Sequence, residues 1–517
     1  MKRITIKIAG PAGMGIKSAG LLLAKIVTNE GYYSADYSEY PSLIRGGHNT
    51  YQITISPEEV FMADRKADLL VALTPGHEED GHNLLDIPLA TMTAQLGGQI
   101  YANTISIGAI AYVLGLNREN AKKIVIDYFG KDFKNPEAFE TGFAWAQKNS
   151  KEIKINKAKT NEGKETVIDG NEAFSWGLIK GGCNFLAAYP MTPVSGVLHF
   201  LAKNQDRFGI RVVHPEDELA VANEATGASI AGARVVVATS GGGFALMNEA
   251  ISFGGMVGAG VVYFVGQRPG PATGMPTWTA QGDLLYSVFA GHGEFAKIVM
   301  APGNTEECLE IGRKAINLAN KYDIPVIVLA DKILCESSKN LYDPEKEETI
   351  IEKSSKIVPG KGIYLYNSYE HDEEGFSTED AEMAQKGVEK RLLKIKDILE
   401  NEKDIFNYYG NKKASILIVS WGSTKGALLE AIRDSDKYAY LQIKMLWPLN
   451  KEIGKIINAF KTKILVENNA TGQLGRLLRS ELAINFDKTI LKYDGRPFFA
   501  EEIRKELSII PPKADPD

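Results

Sequence analysis

Four short stretches of this 517-residue chain end in residues able to do chemistry, and each follows an apolar run. YPMTP sets Thr192 among Pro190 and Pro193 after NFLAA. HPEDE places Glu216, Asp217 and Glu218 after IRVV, TSGGG places Ser240, Gly241 and Gly242 after ARVVVA, and GQRPGPATGMPT places Arg268 after GVVYFV. A hydroxyl held between prolines can contact a carbonyl or carboxylate, and a carboxyl in a dry site can share its proton. Glycines let backbone N–H groups approach a ligand, and a guanidinium on a stiff loop can clamp a carboxylate or phosphate through its planar fork. Each also has a plainer role. Thr192 before Pro193 fits a helix N-cap, the three carboxylates suit the positive end of a helix, and the glycines can serve tight turning alone. Arg268, flanked by Gly266, Pro269, Gly270 and Pro271, is too constrained for an ordinary surface ion pair to be its best explanation.

The elements that must position these residues alternate. From residue 169 to 335, β-branched runs (CNFLAAYP, IRVVHP, ARVVVATS, GVVYFVG, IPVIVLAD) are separated by helical stretches, which predicts a parallel sheet with crossover helices. In such sheets ligands bind outside the carboxyl ends of the strands, where the four motifs fall. Residues 1–150 form a first block opening with the strand RITIKIAG, a glycine turn and the helix-like IKSAGLLLAKIVTNEG. Residues 151–168 are lysine-rich and read as a linker. Residues 336–411 form a charged connector with one helix, and 412–517 repeat the strand–helix alternation as a smaller α/β domain. The expected fold class is therefore multidomain α/β.

Composition narrows the function. Lys and Arg number 59 against 65 Asp and Glu, for a net charge of −6, and no basic stripe supports a nucleic-acid partner. The N-terminus alternates like a strand and not like a signal peptide, and the most apolar stretch, residues 250–266, is short and glycine-broken, reading as a buried helix turning into a strand. No membrane is expected, and the setting expected is cytoplasmic. Cys183, Cys308 and Cys335 are far apart, without a C-x-x-C pair, so no disulfide framework, metal or iron–sulfur site is expected within this chain. Gly10, Gly13 and Gly15 resemble a dinucleotide fingerprint with altered spacing. Arg45 and His48 lie in SLIRGGHN, either a functional loop or a hairpin, and His77 and His82 in HEEDGH read as a solvated polar loop.

YPMTP, PEDELAVANEATGASIAGARVVVATSGGGFALM, GQRPGPATGMPTWTAQGDL, YEHDEEG and VENNATGQLGRLLR, in this order, resemble the alpha subunit of 2-oxoacid:ferredoxin oxidoreductases, and the first block resembles that family's gamma subunit fused ahead of alpha. The resemblance covers nearly the whole chain. It implies a gamma-type α/β domain, a thiamine-diphosphate pyrimidine-binding domain at 169–335 and a transketolase C-terminal-like domain at 412–517. The chain lacks a G-D-G motif with its downstream asparagine and lacks a cysteine cluster. A beta partner is thus expected to supply Mg²⁺, the diphosphate site and an iron–sulfur cluster, in a heterodimer or a dimer of heterodimers.

By the same resemblance Glu218 is the catalytic carboxyl facing the aminopyrimidine of thiamine diphosphate. Thr192 and Arg268 bind the substrate, and Tyr189, Pro190, Glu218, Ser240, Gly241 and Gly242 line the cofactor. At one position the chain departs from the family: TSGGG has glycine where a proline follows the first glycine. The implied reaction is reversible oxidative decarboxylation of a 2-oxo acid, 2-oxoglutarate before pyruvate or branched and aromatic acids, with coenzyme A as co-substrate and ferredoxin or flavodoxin as electron carrier. The rivals are a non-catalytic scaffold subunit and a nucleotide-dependent dehydrogenase built on the N-terminal glycines.

Overall fold

The computed structural model describes residues 3–42, 46–78, 83–130, 134–156, 166–354, 358–362 and 364–509. The chain divides into two compact units, one of residues 1–169, 337–343 and 499–501, the other of 170–336, 344–498 and 502–517.

The first unit holds a six-stranded sheet, in spatial order Leu69–Ala72, Ile4–Ala12, Gly46–Ser56, Tyr33–Glu39, Ser338–Leu341 and Thr166–Asp169. Ile4–Ala12 runs parallel to Leu69–Ala72 but antiparallel to Gly46–Ser56. The glycine turn leads into the helix Ile16–Asn29. A dinucleotide fold would lay the next strand parallel beside the first. Here that strand, Tyr33–Glu39, pairs antiparallel with Gly46–Ser56, so the glycine spacing belongs to a different topology. Of SLIRGGHN, Gly46 to Asn49 open the strand Gly46–Ser56, while Arg45 lies outside the described residues, as does His82. His48 and His77 stack with ring centroids 5.2 Å apart and their Nδ1 atoms 2.9 Å apart. Thr166–Asp169 and Ser338–Leu341 pair antiparallel with each other, so segments on either side of the middle block complete the sheet.

The second unit is built on two sheets. The larger has seven strands in the order Met445–Trp447, Ile298–Met300, Val326–Asp331, Val261–Gln267, Val235–Ser240, Phe185–Ala188 and Arg211–Val213, all parallel except the first. Its central strands are buried throughout, as continuous β-branched runs covered on both faces should be. The apolar stretch at 250–266 is the end of the helix Asn248–Val257 followed by Val261–Gln267. Among the described residues no helix is long and apolar enough to cross a membrane.

The smaller sheet has the order Phe406–Gly410, Tyr438–Ile443, Ile416–Ser420, Thr462–Glu467 and Lys488–Leu491, parallel but for the first strand. The chain leaving Tyr438–Ile443 crosses to the edge of the larger sheet as Met445–Trp447, tying the two together. A buried polar staple adds to this. Glu307, on the helix Thr305–Tyr322, accepts from Lys425 Nζ (2.6 Å), Gln442 Nε2 (2.5 Å) and Asn407 Nδ2 (2.8 Å). A buried ion pair with its remaining valences met is well placed for specificity of docking, because misdocking would leave charges unpaired.

Candidate active site

The carboxyl ends of four neighbouring strands of the larger sheet form one edge. Register fixes their proximity: Ala188 lies opposite Ala238, and Ser240 opposite Gly266. Ligand-capable residues on four loops therefore converge because their strands end together.

After Phe185–Ala188 the chain turns through Tyr189 to Val194 before the helix Ser195–Phe208. Thr192 does not cap that helix: Val194 occupies the capping position, and no side chain accepts there. The physical reason is Pro193, buried under Gly266, where a Cβ would come within 2.5 Å of Val194 Cγ1 and 2.8 Å of Pro193 Cδ. This contact, with Asn171 Nδ2 donating to the Pro193 carbonyl (2.8 Å), holds Thr192 in the turn ahead of the helix. The Thr192–Pro193 peptide bond is cis. Tyr189 is exposed, its ring 5.9 Å from that of His214, and Pro190 beside it is also exposed.

HPEDE sorts its three carboxylates by place. Asp217 is the N-cap of the helix Glu218–Ile230, accepting from Ala220 N–H (2.8 Å), while Glu216 is exposed. Glu218, the first helical residue, is only 6% exposed. Among the described residues its carboxylate accepts no hydrogen bond. The residue is buried as a whole, but its carboxylate oxygens are not among the sealed, unpartnered polar atoms. The group is packed into the fold by its stem and keeps its acceptors open.

The Glu218 side chain is bordered by TSGGG. Ser240 ends its strand fully buried, its Oγ without a partner, and Gly241 starts the helix Gly241–Leu246. A Cβ on Gly243 would stand 2.2 Å from Thr239 Oγ1 and 2.7 Å from both Cγ and Oε1 of Glu218, so only glycine lets the carboxyl lie there. A Cβ on Gly242 would meet nothing within 4 Å. The missing family proline thus falls at an open position at the start of a helix, where proline and glycine can share one backbone path.

Arg268 follows Val261–Gln267 and donates from Nη1 to the Thr192 carbonyl oxygen (2.7 Å), joining the first and fourth motifs. Burial draws its pKa down, and the charge of Asp283 acts against that. Asp283 lies in the GQRPGPATGMPTWTAQGDL stretch, where residue types alone assign it no role. An aspartate heading a short helix reads as a cap, and its relation to Arg268 is set only by folding.

The described residues contain no group of three or more His, Cys, Asp or Glu suited to a metal ion. The three cysteines are buried, and burial pushes the Cys183 thiol up to about 12. The donors at the strand ends are therefore a carboxyl, hydroxyls, backbone groups and one guanidinium. The Glu218 carboxyl, with its oxygens open, thus lies beside a glycine-lined turn that also holds the unpartnered buried hydroxyl of Ser240.

Comparison with known proteins assigns the class. Residues 176–390 match the family described as pyruvate flavodoxin/ferredoxin oxidoreductase, thiamine diP-bdg, and residues 5–78 and 73–145 match pyruvate ferredoxin/flavodoxin oxidoreductase. The 2-oxoacid:ferredoxin oxidoreductase subunit alpha of Saccharolobus solfataricus is 30% identical over 99% of this chain and 98% of its own length. This chain belongs to the family of 2-oxoacid:ferredoxin oxidoreductase alpha subunits. The 2-oxoglutarate oxidoreductase subunit KorA of Mycobacterium tuberculosis is 25% identical over 97% of this chain and 91% of its own. Among solved structures, the 2-oxoglutarate:ferredoxin oxidoreductase of Magnetococcus marinus, with 2-oxoglutarate, coenzyme A and succinyl-CoA bound, superposes with a TM-score of 0.90 at 27% identity, covering 98% of this chain and 99% of that one.

Proposed function

We propose that this chain is the alpha subunit, with a gamma-type domain at its head, of a coenzyme A-acylating 2-oxo acid:ferredoxin oxidoreductase whose substrate is 2-oxoglutarate. The observation that carries the reading is Glu218, buried at a helix start without a protein partner and given its space by Gly243. Thiamine diphosphate, when bound, supplies the nucleophilic carbon and the electron sink that decarboxylation of a 2-oxo acid requires. Glu218 would hold its aminopyrimidine and exchange a proton with a ring nitrogen, a task open to a carboxyl whose acceptors the fold leaves unused. Ser240 Oγ lies beside the same turn. Arg268 would take the substrate's carboxylate, and Thr192 its carboxylate or keto oxygen.

The substrate assignment is supported by the names of the Mycobacterium and Magnetococcus relatives, both for 2-oxoglutarate. A beta chain carrying Mg²⁺, the diphosphate site and an iron–sulfur cluster fits the rim of the site. Leu219, next to Glu218, is 47% exposed, and Leu246, at the end of the TSGGG helix, 48%. Exposed apolar side chains beside the site suit the docking of a second chain. Acyl transfer to coenzyme A and electron delivery to ferredoxin or flavodoxin complete the reaction.

The test is anaerobic, coenzyme A-dependent reduction of ferredoxin or a viologen dye by this chain co-expressed with its beta partner, across a panel of 2-oxo acids. A preference for 2-oxoglutarate supports the full reading, and a preference for pyruvate or a branched acid corrects the substrate alone. No turnover from a complex shown to hold thiamine diphosphate and a cluster overturns the reading.

A further inference from the structure

The segment carrying Asp283 is pinned more firmly than its loop position requires. On one side Gln281 is held by the smaller sheet: its N–H donates to the Asn468 carbonyl (2.7 Å), its Oε1 accepts from Asn468 N–H (2.8 Å), and its Nε2 donates to the Trp421 carbonyl (2.8 Å). On the other, Gln473 accepts from Leu285 N–H (2.9 Å) and donates to the Gly282 carbonyl (2.7 Å). Gln267, the residue before Arg268, accepts from the Asp283 N–H itself (3.1 Å). A Cβ on Gly241 would lie 3.1 Å from both Asp283 carboxylate oxygens, so the carboxylate is laid against the first residue of the TSGGG helix. Three elements thus fix the backbone that carries Asp283, and its carboxylate lies beside the turn that borders Glu218, one strand end from Arg268.

We propose that Asp283 is a positioning and affinity-setting residue: it is the resident counter-charge of Arg268, against which the carboxylate of an incoming 2-oxo acid must compete. The inference rests on the functional reading above. Asp283 and Arg268 form no ion pair within 4.0 Å among the described residues, so the aspartate acts through space, and the guanidinium, held by Nη1 on the Thr192 carbonyl, keeps its other donors for substrate. Its ionisation then tunes the site. Burial raises its pKa to about 6, with Arg268 opposing the rise. The titratable groups that face it are Arg268 and Tyr286, the latter on its own helix with a hydroxyl raised first by burial, so neither changes charge near neutrality. Below about pH 6 Asp283 takes up a proton, Arg268 loses its counter-charge, and anion binding strengthens.

The experiment uses the complex with its beta partner and measures KM for the 2-oxo acid, together with inhibition constants for oxamate and N-oxalylglycine, which keep the carboxylate but not the reactive ketone. For Asp283→Asn the expectation is KM and inhibition constants lower by on the order of fivefold at pH 7.5, the size expected of one charge acting over several ångströms in a partly wet site. The unsubstituted complex should approach the variant's constants as pH falls through about 6, and the variant's should stay flat. In an Arg268→Gln background the Asp283→Asn effect on the inhibition constants should vanish. Asp331→Asn, removing another buried aspartate that faces Ser423 instead, should leave them unchanged. Constants within twofold of the unsubstituted complex at every pH, or an equal effect with and without Arg268, would overturn the inference while leaving the functional reading intact. Failure of the unsubstituted complex to turn over any 2-oxo acid would take down both.

Discussion

Glu218 and Glu467 make an instructive pair. Both are buried glutamates at the carboxyl edge of a parallel sheet, close to a helix start. Glu467 accepts from Trp421 Nε1 (3.1 Å), Asn469 Nδ2 (2.8 Å), Leu474 N–H (3.0 Å) and Gly475 N–H (3.2 Å). It caps the helix Gln473–Leu482 from the preceding strand and ties three segments of the smaller sheet together. Glu218 has the same kind of position and no such partners. Equivalent positions in related architectures thus do opposite work. One carboxylate is consumed by the fold, the other accepts nothing from it and is the one proposed above to meet the cofactor, and the number of donors tells them apart.

The sharpest way to break this contrast is to remove each carboxylate in turn. Glu218→Gln should lower turnover by about a hundredfold or more, the scale of lost proton transfer, while the complex still assembles. Substantial residual turnover would remove Glu218 from the proposed chemistry. Glu467→Ala should do the reverse. It strands several buried donors, so chemical denaturation should show a loss of about 3 kcal/mol or more, with activity per folded molecule changing far less. Equal losses of activity in the two variants would erase the distinction.

Asp331 stands between the two. It is buried, bonded by Ser423 Oγ and by Leu334 N–H (3.3 Å), and burial raises its pKa to about 6. Its folded-state value lies above the unfolded one, so its contribution to stability is fully present below about pH 4 and is lost as pH rises towards 6. The stability difference between Asp331→Asn and the unsubstituted chain should therefore shift in the variant's favour by about 2–3 kcal/mol between pH 4 and pH 7, read from denaturation at each pH. A difference independent of pH would show that the aspartate titrates normally. The smallest effect comes from a glycine: Gly243→Ala, which intrudes on Glu218, should lower activity on the order of tenfold, and activity unchanged within twofold would show that the carboxyl's place is not what matters.

Most of the middle sheet was legible in the sequence. Parallel strands buried on both faces must be continuous β-branched runs, and ARVVVATS, GVVYFVG and IPVIVLAD are such runs. Ser338–Leu341 was not legible: SKNL is polar, and only pairing with Thr166–Asp169 on one side and Tyr33–Glu39 on the other makes it a strand. The cap reading of Thr192 failed for a related reason, since the packing of Pro193 under Gly266 joins residues more than seventy positions apart. Glu218 could be singled out from EDELA and its family resemblance. Its lack of a partner, and the field of Asp283 on Arg268, could not be read from residue types.

By itself, then, the sequence determined the α/β class, the strand ends where polar motifs gather and the family, because these follow from local periodicity and from residues close together in the chain. Only the tertiary structure decided which buried carboxylate is satisfied and which is left open. Hydrogen bonds and through-space charges depend on distances between strands that register and helix packing set, and those distances are a property of the fold.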